Sequence, residues 1–514
     1  MIAKIMLPIP VGRPFDYLVP EEMKSRIRKG MRVCVPFCRR QRMGYVVGFS
    51  SRSAVKGLRS IGALPDNVAL LGRTEFAIAE YIAASYFCSL GQALELTLPL
   101  ALRKGRRVDT QDCPLPEDDA AEEAPGEKGS VFLLQGLSCA RWRFYRDKIA
   151  AALSQGRRAI VLCPDIDACR RMQAWLEKEF KVAPSLLQGR LGPRRELEEW
   201  LRIKRGKADI VLGTCSAVFV PLRRLGLIIV EQEQEAVYKQ EQSPFYDARD
   251  VAVFRGRQAG ADVVLSSNVP TLESYYLARK GRYRLVAPGQ EGPPDPAAQV
   301  VEMKDEYYRR GKRRVVISSI LENAVRNTLR EGRRVVLFLN RVGFSTYALC
   351  RGCGFIIRCQ HCSNNLTYIF ASRSLVCRSC NFSIRPPERC PRCNAAYIRY
   401  LGLGTEKLES EACRLFPKAR VERYDRLRRL DLSKERFDIL VATQIILNDP
   451  DNLKGVGLLG LVDMDVSLNH IDFRAAEKTF QVVSRLLSAV YRPRQGHDFS
   501  GGGENGAGPQ GEGC

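Results

Sequence analysis

Apolar and polar residues alternate with a period of two in short runs near the start of the chain. Arg32-Val33-Cys34-Val35-Pro36-Phe37 and Gly44-Tyr45-Val46-Val47-Gly48-Phe49 therefore predict β-strands. From Arg73 to Ser89 the apolar spacing becomes helical. Residues 1–104 read as a compact, mainly-β unit. The segment Arg106–Ser130 follows, with Glu117-Asp118-Asp119-Ala120-Ala121-Glu122-Glu123-Ala124-Pro125-Gly126 at its centre. It is acidic, turn-rich and poor in core residues, as a linker is. From Val131 short β-branched runs alternate with helical stretches. The first set is Ala159–Leu162, Ile210–Leu212, Leu227–Val230 and Val263–Leu265; the second is Val335–Leu339, Ile439–Ala442 and Leu458–Val462. Strands alternating with helices predict parallel sheets with right-handed crossovers. The fold class is thus α/β, with two lobes. Beyond Arg492 the text turns Gly-rich, with eight glycines in the last 22 residues, and predicts disorder over 493–514.

Cysteine changes this picture most. Four C-x-x-C pairs, Cys350/Cys353, Cys359/Cys362, Cys377/Cys380 and Cys390/Cys393, fall early in the second lobe. One C-x-x-C turn brings two thiolates to one ion, and two turns complete a tetrahedral four-thiolate zinc site. The spacing predicts two Zn²⁺ in an inserted module over 350–394. It leaves open whether the pairs combine sequentially or outer with outer and inner with inner. Closed four-thiolate sites are structural rather than catalytic. The other ten cysteines are scattered. His361, His470 and His497 are the three histidines, so imidazole chemistry is poorly supplied.

A length of 514 residues predicts three or four domains. The net charge of +24 fits a polyanionic partner, most simply nucleic acid. The chain opens without a signal-peptide pattern, and no apolar run approaches the roughly 18–20 residues that span a bilayer. The expected compartment is the reducing cytoplasm, where paired cysteines favour metal over disulfides.

Several segments together resemble one family. Leu7-Pro8-Ile9-Pro10-Val11-Gly12-Arg13-Pro14-Phe15-Asp16-Tyr17-Leu18-Val19-Pro20 and Leu98-Pro99-Leu100-Ala101-Leu102-Arg103-Lys104-Gly105 are similar to the N-terminal DNA-binding domain of the primosomal replication-restart protein N′ (PriA) family. Gly213-Thr214-Cys215-Ser216-Ala217-Val218-Phe219, Tyr238-Lys239-Gln240, Phe245-Tyr246-Asp247-Ala248-Arg249-Asp250, Leu339-Asn340-Arg341-Val342-Gly343-Phe344, the eight cysteines, Gly402-Leu403-Gly404-Thr405-Glu406 and Asp472-Phe473-Arg474-Ala475-Ala476-Glu477 continue the match in family order.

The resemblance implies a 3′-end DNA-binding domain over 1–105, a linker over 106–129, and a RecA-like lobe over 130–290. A second RecA-like lobe begins over 291–349 and resumes over 395–492. It pairs the cysteines outer with outer and inner with inner: Cys350, Cys353, Cys390 and Cys393, then Cys359, Cys362, Cys377 and Cys380. It gives Phe15, Asp16 and Tyr17 the pocket for the 3′ end of a nascent strand, where a carboxylate accepts from the terminal hydroxyl and an aromatic stacks on the last base. Arg59 is a candidate phosphate contact. Cys38 stands where the pocket has a glycine. Tyr238, Lys239, Phe245, Tyr246 and Arg249 mix aromatic and basic groups in one loop suited to single-stranded DNA. The basic runs Arg309-Arg310-Gly311-Lys312-Arg313-Arg314 and 103–107 are further candidates for phosphate.

Departures from the family pattern fall on ATP chemistry. The phosphate-binding loop reads Gly136-Leu137-Ser138-Cys139-Ala140-Arg141-Trp142-Arg143. Trp142 stands where the family has Lys and Arg143 where it has Thr. A tryptophan there would fill the phosphate space, which leaves Arg141 or Arg143 to reach phosphate. The acidic box reads Glu231-Gln232-Glu233-Gln234, and Gln232 replaces the expected base; an amide takes no proton near neutral pH. Ser266-Ser267-Asn268-Val269-Pro270 replaces Ser-Ala-Thr-Pro. Thr443-Gln444 survives, whereas Asn448-Asp449 stand where Lys-Gly is usual. Ser488-Ala489-Val490-Tyr491-Arg492 keeps one arginine-finger candidate, Arg492. The expectation is a DNA-binding scaffold for forked DNA or 3′ ends in primosome assembly, with two Zn²⁺, doubtful ATP and Mg²⁺, and single-strand-binding protein and the replicative helicase loader among its partners. The alternative is a divergent ATP-dependent 3′-5′ DNA helicase. The family's winged-helix and C-terminal domains are expected to be shortened or absent.

Overall fold

The computed structural model describes residues 1–108, 129–136, 138–189, 191–288, 298–309 and 315–340, and 347–490 less 351, 352, 354, 363–365, 370–373, 378, 379, 381, 397, 402–404, 426, 427, 429, 431, 433, 434, 449, 454 and 469–471. The centre of the acidic linker, the basic run after Arg309, Arg341-Val342-Gly343-Phe344, Gly402-Leu403-Gly404, Asp449, Arg492 and the Gly-rich tail lie outside the described residues. The chain forms two units, 1–290 and 291–514.

In the first unit, β1 (Ile2–Met6), β2 (Phe15–Leu18), β3 (Arg32–Phe37) and β4 (Arg40–Ser50) make an antiparallel sheet in the order β2-β1-β4-β3. One face buries Ala3, Ile5, Tyr17, Val33, Val35 and Val46 as a small core of its own. The helical run expected over Arg73–Ser89 divides. α1 (Arg73–Ser85) stops, Phe87 takes a left-handed φ of 53°, and Ser89 caps α2 (Leu90–Leu96) through the Gln92 N–H. Apolar spacing does not register that second cap. α3 (Leu100–Arg103) follows.

These helices pack beyond the N-terminal sheet. They share one hydrophobic core with the first lobe, from Leu70, Ile82 and Leu94 through to Trp200 and Val251. Tyr81 stacks on Phe254 at 4.2 Å, and the Tyr86 hydroxyl donates to Asp250 at 2.9 Å. The buried Arg32 guanidinium pairs with Asp66 at 2.6 Å, and Asp66 also accepts from the Val108 N–H at 3.1 Å.

The first lobe carries β5 (Val131–Gln135), α4 (Ser138–Ser154), β6 (Arg158–Leu162), α5 (Ile166–Phe180), β7 (Ser185–Leu187), α6 (Pro193–Lys204), β8 (Ile210–Gly213), β9 (Leu225–Glu231), α7 (Ala248–Ala259), β10 (Asp262–Ser267), α8 (Leu272–Arg279) and β11 (Arg284–Val286). The strands pair in parallel in the order β11-β5-β10-β9-β6-β8-β7. Alternate residues of β6 face opposite layers. Ala159 and Val161 meet the side of α4 and α5; Ile160 and Leu162 meet the side of α6 and α7. Burial on both faces explains why these strands read as unbroken apolar runs.

The second unit repeats the logic. Its elements are α9 (Met303–Arg309), α10 (Ser319–Arg330), β12 (Arg334–Leu339), β13 (Tyr347–Cys350), β14 (Thr367–Ile369), β15 (Ser374–Val376), β16 (Ser383–Ile384), β17 (Ile398–Leu401), α11 (Thr405–Leu415), β18 (Val421–Tyr424), β19 (Ile439–Ala442), β20 (Val456–Val462), α12 (Asp465–Leu468) and α13 (Ala475–Val490). The parallel sheet runs β18-β19-β12-β20. Val335 and Leu337 pack toward α10 and α11, whereas Val336 and Phe338 pack toward α13. The cysteine module sits between β12 and α11 in sequence, on the antiparallel sheet β16-β15-β14-β13-β17.

Candidate functional site

The cysteines gather as two groups, Cys350, Cys353, Cys390 and Cys393, and Cys359, Cys362, Cys377 and Cys380. Within each group the Sγ atoms lie within 4.8 Å of one another. Cys350 and Cys393 are 3.5 Å apart, Cys353 and Cys390 3.7 Å, Cys359 and Cys380 3.4 Å, and Cys362 and Cys377 3.3 Å. A tetrahedral ion with thiolates at about 2.3 Å needs sulfurs about 3.8 Å apart. The His361 and Arg392 N–H groups donate to Cys359 Sγ and Cys390 Sγ, both at 3.4 Å, which favours thiolate. Each group therefore fits one metal ion. The pairing is outer with outer and inner with inner, so the sequential alternative is set aside.

At the N-terminal sheet, β2 splits its three candidates by strand alternation. Tyr17 is buried in the sheet core, with its hydroxyl on the Pro36 carbonyl at 3.1 Å, and offers no ring face for stacking. Burial pushes its hydroxyl pKa up, partly offset by Arg59, with Cys38 raising it further; both lie near that hydroxyl. Half-buried Phe15 meets Phe37 edge-on at 5.2 Å. Asp16 accepts from Ser53 Oγ at 2.6 Å. Arg59 is exposed, and its carbonyl takes the Leu18 N–H. Cys38 has φ 44° and Arg39 φ 62°. Cys38, standing where the resemblance implies a glycine, thus holds a left-handed backbone that glycine adopts most easily. Sequence reasoning did not single out Ser53 and Phe37. The β3–β4 hairpin pattern could have flagged Phe37; nothing local flags Ser53.

The first lobe's phosphate corner differs from expectation. Arg141, in the first turn of α4, is 2% exposed. Its guanidinium pairs with Glu231 at the end of β9 at 2.7 Å, donates to the Gly136 carbonyl at 2.9 Å, and also donates to Asn268 Oδ1. One turn on, the Tyr145 hydroxyl bonds Glu231 and Ser266. Burial first, and then the Glu231 charge, raise the tyrosine pKa, so it remains a neutral donor. Arg141, not Trp142, thus occupies the space above the strand ends, where α/β sheets take their ligands. Trp142 turns away and packs on Trp175 at 5.2 Å, because α5 offers an apolar surface there. Arg143 is exposed. Gln232 holds a left-handed φ of 53°. Buried Glu233 accepts from the Thr271 N–H at 2.7 Å and faces Arg249 at 3.5 Å; burial raises its pKa, partly offset by the Thr271 N–H and Arg249. Gln234 accepts from Ser267 Oγ at 2.6 Å. With Glu231 engaged and no lysine in the loop, these residues do not fit ATP and Mg²⁺.

The aromatic loop is also packed differently. Tyr238 is fully buried, with its hydroxyl 2.6 Å from the Glu231 carbonyl. Tyr246 is buried edge-on against Phe219 at 5.0 Å. Neither ring has a free face for a base. Arg249 is held by Asp247 at 2.5 Å and by the Glu233 carbonyl at 3.0 Å. Of the five candidates in this loop, Lys239 is exposed and Phe245 is 52% exposed.

Residues 4–99 match the family model described as the 3′ DNA-binding domain. The chain is 30% identical over 520 residues to the replication restart protein PriA of Treponema pallidum, covering 95% of this chain and 78% of that one. It is 33% identical over 412 residues to the replication restart protein PriA of Bacillus subtilis, covering 76% of this chain and 50% of that one. A solved structure of RecG bound to a three-way DNA junction aligns at a TM-score of 0.34 and 12% identity, covering 70% of this chain and 43% of that one. The chain thus spans half the length of the Bacillus relative.

Proposed function

The chain belongs to the PriA family, and from that premise we propose that it binds forked DNA or 3′ ends in replication restart and scaffolds primosome assembly without ATP-driven unwinding. The observation that carries the second half is the buried Arg141–Glu231 pair across the phosphate corner. A triphosphate would have to displace it, and breaking a buried pair costs about 3–5 kcal/mol. The DNA half rests on the 3′ DNA-binding match and the net charge of +24. Asp16 with Ser53 is the candidate for reading a terminal hydroxyl; Arg59, Lys239 and Phe245 are candidates for phosphate and base contact. Each cysteine group is proposed to hold Zn²⁺ and fix a small module for protein partners, with single-strand-binding protein and the replicative helicase loader the expected classes. Among the described residues no helix is long and apolar enough to cross a membrane. A role on replicating DNA is what assigns the protein to the cytoplasm in this proposal.

The divergent-helicase reading draws on Gln444, which survives from the family pattern and donates to Asn340 Oδ1 at 3.0 Å in the second lobe. DNA-stimulated ATP hydrolysis and binding of a fluorescent ATP analogue separate the two readings. The wild-type chain should show neither at millimolar nucleotide, while the combined Arg141→Gly, Trp142→Lys, Arg143→Thr variant should regain analogue binding. Wild-type turnover that disappears on Gln232→Ala would establish the helicase reading instead.

A further inference from the structure

β4 overhangs its neighbour. Its ladder with β1 runs from Ser50 back to Tyr45, so residues 40–44 have no partner strand on that side. A hollow of about 370 Å³ lies along this overhang, lined by Arg40, Arg42 and Met43, by Pro8, and by Glu95 and Arg103. The Arg103 guanidinium is fixed by the carbonyls of Leu98 at 2.7 Å and Leu96 at 3.4 Å, which makes it a rigid wall. Arg40 and Arg42 are exposed, and among the described residues neither has a carboxylate partner in an ion pair. Two residues apart on one strand, they project on the same side about 7 Å from each other. Arg40 stands opposite Phe37 in the β3–β4 ladder, and Phe37 meets Phe15 at 5.2 Å. The hollow therefore adjoins the candidate terminal pocket. A surface that leaves two adjacent guanidinium groups unpaired beside a rigid third is complementary to a row of phosphates.

We propose that this hollow is a subsite for the phosphodiester backbone of the strand whose end occupies the neighbouring pocket, gripped by Arg40 and Arg42 against the Arg103 wall. This rests on the DNA-end reading above. Phosphate contacts position a strand without reading its bases, so the subsite contributes affinity that is independent of sequence and of terminal chemistry.

The test is fluorescence anisotropy of the full chain with a labelled forked duplex, with a 3′-hydroxyl or a 3′-phosphate, across a salt series. Each phosphate contact contributes roughly 0.7–0.9 to the slope of log affinity against log salt. The double variant Arg40→Ala, Arg42→Ala should lower the slope by about 1.5 and the affinity by about tenfold or more, equally for both ends. Arg40→Lys with Arg42→Lys should keep the slope. Removing two surface charges elsewhere, with Arg170→Ala and Arg171→Ala, should leave it unchanged. Equal slope and affinity in the first double variant and wild type overturn the subsite while leaving DNA binding intact; so does an equal loss in the distant control. Absent binding by wild type overturns the DNA reading itself. Both arginines are exposed, so an unchanged melting temperature confirms that the variants fold.

Discussion

The phosphate corner of the first lobe and the cysteine module both collect polar side chains from distant parts of the sequence, yet they differ in the charges they gather. At the corner Arg141, Glu231, Tyr145 and Ser266 hydrogen-bond one another in a buried cluster that half-buried Asn268 joins, with the Arg141 and Glu231 charges opposed and Arg141 Nε left over. In the module, four sulfurs of like charge as thiolates converge within 4.8 Å in each group, the donor set of one metal ion. The open side of the N-terminal hairpin resembles the module in gathering like charges, with Arg40 and Arg42 outside any ion pair among the described residues and Glu95 beside Arg103. Opposite charges paired in a buried cluster stabilise the fold without a ligand; like charges gathered together call for one of opposite sign.

The sharpest way to break this comparison is to remove what the like-charged cluster needs. Freshly purified protein should contain about two zinc ions per chain, and Cys390→Ser should lower that to about one. Structural zinc contributes apparent free energies of about 10–16 kcal/mol in small domains, so chelation should unfold the module, read as lost protease resistance over 350–393. A metal content near zero would remove the contrast.

Next in size is the paired cluster. Glu231→Ala strands a buried guanidinium and should cost about 3–5 kcal/mol, seen as a lower denaturation midpoint. Adding Arg141→Met to Glu231→Leu should recover most of that loss, because an apolar pair of similar volume needs no partner. A single variant no worse than the double would mean that the corner is solvated rather than sealed.

The smallest effect concerns Glu233. Its folded pKa is raised above the ordinary 4.5, mainly by burial. The stability it contributes is fully present below about 4.5 and is lost as pH rises through the folded value. Glu233→Gln lacks this titration. Its melting temperature should therefore rise relative to wild type as pH increases from 4.5 to 7. A constant offset across that range would show that the Arg249 and Thr271 contacts cancel the burial.

The strands at the sheet centres were legible because burial on both faces demands unbroken β-branched runs, as at Ala159–Leu162 and Ile439–Ala442. The cysteine ligands were legible from spacing, although their combination came only with the resemblance and then the geometry. The corner was not legible. Whether Arg141 or Trp142 enters it depends on where β5, β9 and β10 end and on the apolar welcome of Trp175, none of which is local in sequence. The loop aromatics misled for a related reason. A tyrosine reads alike whether its ring lies under the lobe, as with Tyr238, or in solvent, and only packing decides. The same holds for Tyr17, whose neighbour Phe15 keeps a half-open ring.

The core shared by α1–α3 and the first lobe has a practical consequence. A protease cut between Val108 and Gly129 severs the covalent link but not the packing of Leu70, Ile82 and Leu94 with Trp200 and Val251. The two fragments should copurify as one particle, and separately expressed halves should reassemble. Neither half would then be a stand-alone part: each supplies a wall of the other's interior, so a swap between relatives would succeed only where both walls are exchanged together.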